Sequence, residues 1–179
     1  RMIFLLDDFS GSGRSCLRKD DSGTTIIGKI AKFRDQLQSP ERLGKMVNTD
    51  DLYVGIVLYI ATKNAVDHLK PLLAELFQPF PELLYDVHVV NVLNDAVSLN
   101  TASDGGFLGL AESYYDPSAE DEHTRKGGTD LKSGFAGCAL PLVLSHNTPN
   151  NSMFLLWANP DDSEIRGLFP RVSRHRSEV

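Results

Sequence analysis

The sequence predicts an α/β fold, a parallel sheet with flanking helices, from three observations. Apolar segments around residues 2–6, 52–60 and 85–93 read as strands. The segments between them, 26–37 and 64–78, repeat apolar residues at helical spacing. Strand, helix, strand, helix, strand in that order is what parallel strands joined by crossover helices require. In such sheets ligands sit beyond the carboxyl ends of the strands.

The first strand carries the densest chemistry. Met2-Ile3-Phe4-Leu5-Leu6 runs apolar without alternation, which suits a strand covered on both faces. It ends in two adjacent carboxylates, Asp7 and Asp8, and then in Phe9-Ser10-Gly11-Ser12-Gly13-Arg14-Ser15. Gly11 and Gly13 can adopt backbone angles closed to other residues, so successive N–H groups can converge on one concavity. Ser12 and Ser15 add hydroxyls and Arg14 a positive charge. Such a loop suits a phosphate, and the carboxylates before it suit the hydroxyls of a sugar. No Gly-Lys-Ser/Thr follows the glycines, and no Gly-x-Gly-x-x-Gly is present, so neither a P-loop nor a dinucleotide fingerprint is written here. An ordinary turn of Gly and Ser closing a strand is the plainer alternative.

Four apolar residues, Asp-Asp, three variable residues and then Ser-Gly-x-Ser resemble the phosphoribosyl-pyrophosphate (PRPP) motif of type I phosphoribosyltransferases. The resemblance implies that fold, with Asp7 and Asp8 on the ribose hydroxyls. It also implies Gly11, Ser12, Gly13, Arg14 and Ser15 on the 5′-phosphate. Mg²⁺ is the implied cofactor, reached by Asp7 and Asp8 indirectly through ribose hydroxyls or water.

The remaining elements follow in order. Ile26, Ile30, Phe33 and Leu37 form one apolar stripe of a helix that Ser39-Pro40 breaks. Asp51 to Ala61 is the second buried strand. Asn64 is placed to cap the next helix, through Gln78, with Val66, Leu69, Leu72, Leu73 and Leu76 inward and Pro79 and Pro81 stopping it. The third strand runs from Tyr85 to Leu93. Thr62, Lys63 and Asn64 after the second strand, and Asn94 and Asp95 after the third, stand where the other walls of a site would be. His88, between apolar neighbours, reads as a core or edge histidine. A short helix is expected over 107–115, then an acidic stretch and a Gly-rich loop at 125–129. Gly137 to Leu144 and Met153 to Trp157 read as strands, with Pro141 implying an edge or bulge. Between them His146-Asn147-Thr148-Pro149-Asn150-Asn151 is rich in donors that could read a base or a phosphate, or could bond among themselves as a turn.

The early Asp-Asp-Phe-x-Gly-Ser-Gly, the late His-Asn-x-Pro-Asn-Asn, Leu-Trp and Leu-Phe-Pro-Arg resemble the phosphoribosyltransferase-like domains of bacterial conflict systems (PRTase-CE). That resemblance implies a bacterial defence effector, with protein partners from its operon, more than a salvage enzyme.

The 179 residues suffice for one domain that buries roughly 70% of its unfolded surface. A core over 1–100 and a C-terminal extension over 101–179 packed on it are expected. The chain enters a strand at once, so it reads as the C-terminal part of a longer protein whose earlier strands complete the sheet. Net charge of −6 argues against a general nucleic-acid-coating surface. Cys16 and Cys138 form neither a metal spacing nor a disulfide framework, which suits free thiols in the cytoplasm. No apolar run reaches membrane-spanning length.

The reaction expected from the family is displacement at the ribose anomeric carbon, with the acceptor unidentified. Two rivals stand beside it. One is a non-catalytic module in which the same pocket binds a nucleotide and gates a partner. The other is docking of nucleic acid or protein through Arg166, Arg171, Arg174 and Arg176.

Overall fold

The computed structural model describes residues 1–120, 122–159 and 164–170. In chain order it contains β1 (Met2–Ser10), β2 (Arg18–Lys19), β3 (Ile26–Ile27), α1 (Lys29–Gln38), α2 (Leu43–Met46), β4 (Tyr53–Thr62), α3 (Lys63–Phe77), β5 (Leu84–Leu93), α4 (Thr101–Ser113), α5 (Glu122–Arg125) and α6 (Phe154–Trp157). The chain divides into two compact units, Arg1–Asp95 and Ala96–Val179.

The first unit holds a three-stranded parallel sheet in the order β1-β4-β5. Register is continuous, with Leu5 against Ile56 and Ile56 against Val87. Ile30, Phe33 and Leu37 of α1 and Leu69, Leu73 and Leu76 of α3 close on Val54, Ile56 and Leu58 of β4, forming one core. Ile26, expected in α1, lies one turn earlier in the short β2–β3 hairpin, yet it is buried in the same core.

Both long helices pack on one face, which corrects the expectation of a strand covered on both. The sheet advances in one direction from β1 to β5, and crossovers of one hand then put their helices on one side. Residues 2, 4 and 6 of β1 face away from the helices, leaving Met2 71% and Leu6 76% exposed. On that face the Phe4 ring meets Tyr53 edge-on. His88 is exposed on the edge strand β5, where its Nε2 lies 2.7 Å from the Tyr53 hydroxyl.

α3 begins two residues earlier than expected. Its cap is Thr62 rather than Asn64: the Thr62 Oγ1 accepts the Ala65 N–H at 3.0 Å. Thr62 is the last residue of β4, so strand and helix meet without a loop.

The second unit is built from short helices and turns. The two strands expected there are absent among the described residues. Pro141 supplies no N–H for a ladder, and the 137–144 segment contributes one isolated bridge, Leu140 to Ser152. Phe154 to Trp157 is helical instead: Phe154 and Trp157 stack edge-to-face at 5.3 Å, as an i, i+3 pair on one helix can. The Trp157 indole donates to the Ser152 carbonyl at 2.9 Å. The expected 107–115 helix is longer, Thr101–Ser113, kinked at Asp104 and capped by Asn100.

Candidate functional site

β1 delivers its acidic pair to the sheet and then turns into the Gly/Ser loop. Asp7 and Asp8 lie inside the strand, three and two residues before its end. Side chains alternate along a strand, so Asp7 faces the helix-covered side and Asp8 the opposite side, where it is exposed. The Asp7 carboxylate accepts from the Lys29 ammonium at 2.8 Å and from the Cys16 thiol at 3.7 Å. Cys16 also lies 3.8 Å from the Ser10 hydroxyl. Burial, and then the negative charge of Asp7, push the Cys16 thiol above its ordinary value. Asp7, Cys16 and Lys29 line a cavity of about 280 Å³ together with Leu5, Ile30 and Leu58.

The loop is fastened at several points. The Gly13 carbonyl accepts from the amides of Cys16 and Leu17, both at 3.0 Å, closing a tight turn. The Thr62 hydroxyl donates to the Gly11 carbonyl at 2.5 Å while capping α3, so one side chain ties the loop to the helix start. The His68 Nε2 lies 2.9 Å from the Leu17 carbonyl oxygen. Gly13 takes φ +74°, and a Cβ there would stand 2.9 Å from both the Ala65 carbonyl oxygen and the His68 ring. Only glycine fits. Gly11, by contrast, is outside the left-handed region.

The start of α1 meets the same loop. The Lys29 amide donates to the Ser15 carbonyl at 3.2 Å and the Ile30 amide to Cys16 at 3.1 Å. Gly28, at φ +135°, permits this approach, since a Cβ there would lie 2.3 Å from the Cys16 carbonyl oxygen. Among the described residues, the amides of Ser12, Gly13 and Ser15 take no acceptor, while that of Arg14 reaches the Ser12 hydroxyl at 3.4 Å. What results is a loop fastened at several points, with three amides that take no acceptor among the described residues, at the same end of the sheet as Asp7.

The parts stand in the order half-covered strand, carboxylate pair, small-residue loop and crossover helices. A family model, PRTase-CE, covers residues 1–171. The chain belongs to the PRTase-CE family. No curated protein and no solved structure matches it. As a PRTase-CE member it is a phosphoribosyltransferase-like domain.

The site residues expected from sequence distribute unevenly in this PRTase-CE chain. Asp7 and the loop Gly11–Ser15 share one end of the sheet, with Arg14 partly buried and Ser15 exposed. Asp95 opens a 3-10 turn after β5, two strands away from β1. His146 and Asn147 belong to the second unit. There Asn147 is turned on its own backbone, its Oδ1 accepting from the Thr148 amide at 2.9 Å. Thr148, Asn151 and Ser152 of the same turn are buried and bonded internally, Asn151 to the Phe135 carbonyl at 3.1 Å and Ser152 to Leu142 at 2.6 Å. Arg171, Arg174 and Arg176 lie outside the described residues.

Cys16 and Lys29, the two groups on the Asp7 carboxylate, escaped the sequence reading. Gly28 immediately before Lys29 was the available signal: a glycine at a helix start marks a close backbone approach. Among the described residues no group of three or more His, Cys, Asp or Glu is placed to hold a metal ion. No described helix is long and apolar enough to cross a membrane.

Proposed function

We propose that the domain binds PRPP, or a nucleotide built on ribose 5-phosphate, at the carboxyl end of β1. The observation that carries this reading is the fastened loop: three amides that take no acceptor among the described residues, following in the chain the carboxylate of the acidic pair that faces the helices. Backbone donors on a fastened loop suit a phosphate oxygen, because little ordering remains to be done when it binds. Asp7 accepts ribose hydroxyls on the helix-covered side, whereas Asp8 projects from the opposite face.

Mg²⁺ fits this site as a ligand-borne ion. A single carboxylate plus phosphate oxygens is an ordinary Mg²⁺ environment, and the described residues supply no cluster of their own. When bound, the ion would neutralise charge on the pyrophosphate. In catalysis, the Asp7 carboxylate would offset positive charge developing on the ribose ring. An effector role in a bacterial defence system, with partners from that system, is the cellular setting we infer from the resemblance to domains of bacterial conflict systems.

The test is calorimetric titration of PRPP into the protein, with and without Mg²⁺, beside the Asp7→Asn/Asp8→Asn double variant. Metal-assisted binding that the double variant loses is the expected result. Absence of binding under every metal condition overturns the proposal. Binding without turnover of any acceptor marks the domain as a sensor.

A further inference from the structure

We propose that Lys29 is a charge-exchange residue of the phosphate loop: its ammonium neutralises Asp7 before a ligand arrives, then passes to a ligand phosphate as sugar hydroxyls take the carboxylate. The inference rests on the sugar-phosphate reading above and names the side chain that reads the phosphate.

Four observations converge on it. The Lys29 ammonium lies 2.8 Å from the Asp7 Oδ2, so it already occupies the carboxylate that a ribose would need. The same oxygen receives the Cys16 thiol at 3.7 Å, so a diol arriving at Oδ2 must displace a donor. Cys16 is buried, whereas the Lys29 side chain is 63% exposed and able to move. Its root, however, is fixed, because the Lys29 amide is held on the Ser15 carbonyl at the end of the phosphate loop. The swing is thus confined to the neighbourhood of the loop.

The fourth observation is the position of Lys29 in its helix. It is the first residue of α1, whose first turn contains no acidic residue. A cation there opposes the positive end of the helix dipole. A lysine at odds with its own helix is held in place by a partner outside it, and a phosphate dianion is a stronger partner than one carboxylate. The same helix end that repels Lys29 also favours an anion drawn to it.

The ligand phosphate has two sources, the 5′-phosphate of the sugar or the pyrophosphate on its anomeric carbon. Ribose 5-phosphate, PRPP and ribose are titrated with Mg²⁺ into wild type, Lys29→Ala, Lys29→Gln and Lys29→Arg, each variant checked for an unchanged melting temperature. Lys29→Ala and Lys29→Gln should weaken phosphate-bearing ligands by about tenfold to a hundredfold, the size of a lost charge-assisted hydrogen bond. Lys29→Arg should restore most of the affinity. An equal loss for ribose 5-phosphate and PRPP assigns the 5′-phosphate; a loss confined to PRPP assigns the pyrophosphate. Unchanged or tightened binding in Lys29→Ala overturns the inference, since Lys29 would then only compete for Asp7. Wild type that binds none of the three ligands overturns instead the sugar-phosphate reading on which it stands.

Discussion

Asp7 and Asp8, neighbours in sequence, project from opposite faces of β1. Asp7 is drawn to the helix side, where Lys29 and Cys16 hold its Oδ2, while Asp8 is exposed on the other. A pair that looks equivalent in a motif is therefore inequivalent in space.

That inequivalence predicts different outcomes for the two single variants. Asp7→Asn should weaken Mg²⁺-dependent PRPP binding by about tenfold or more, the loss of one charge-assisted hydrogen bond. Asp8→Asn should cost less than Asp7→Asn. Stability should change little in Asp7→Asn, because its lysine partner is largely exposed and such pairs contribute at most ~1 kcal/mol. Equal losses of affinity in the two variants, measured by titration calorimetry, would contradict the division of roles.

Gly13→Ala addresses the loop's backbone. Alanine at φ +74° is strained, and its Cβ would press on the Ala65 carbonyl and the His68 ring. The combined cost is expected to be about 2–4 kcal/mol from conformational strain and overpacking. A urea titration reads it as a lower midpoint with an unchanged slope. A stability within a few tenths of wild type would show that the loop can relax around the methyl group.

Thr62 tests whether loop and helix are one construction. Thr62→Val removes both the cap on Ala65 and the tie to Gly11, at an expected cost of about 1–3 kcal/mol. Thr62→Ser keeps the hydroxyl and should recover most of the stability. If valine and serine behave alike in denaturant melts, the hydroxyl is not the fastening.

Cys16 gives the pH dependence. Burial and the nearby Asp7 charge raise its thiol above the ordinary value of 9.0, so the folded chain holds that proton more tightly than the unfolded chain does. The stabilisation is whole below the unfolded value and drains away as pH rises through the higher folded one. Denaturation midpoints should accordingly fall in the alkaline range, and Cys16→Ala should flatten that fall. A pH profile identical in wild type and variant would assign the loss elsewhere, Tyr115 being the next group whose proton folding holds more tightly.

Much of the first unit was legible because its signals are local. The Val54–Leu58 run and the stripe Leu69, Leu73, Leu76 are periodic patterns that burial alone explains. The bare face of β1 was not legible. An apolar run such as Met2-Ile3-Phe4-Leu5-Leu6 does not say which side its helices take; sheet order does. Phe154-Leu155-Leu156-Trp157 was misread for a related reason, since four apolar residues suit either period and packing of the two aromatic rings decided for the helix. In the site, Asp7 and the loop were readable as a motif. The partners of Asp7 were not, because Cys16 and Lys29 reach it through the turn after Gly13 and the backbone approach at Gly28.

The fastening of the loop by Thr62, His68 and its own Gly13 carbonyl also governs how quickly the site can respond. A loop that must fold around its ligand pays for ordering at each encounter and closes on the timescale of segment motion. Here the part asked to move is one lysine side chain, and exposed side chains change rotamer in picoseconds to nanoseconds. Capture is then governed by diffusion and by stripping water from the phosphate, so the association rate should report electrostatics and fall with added salt.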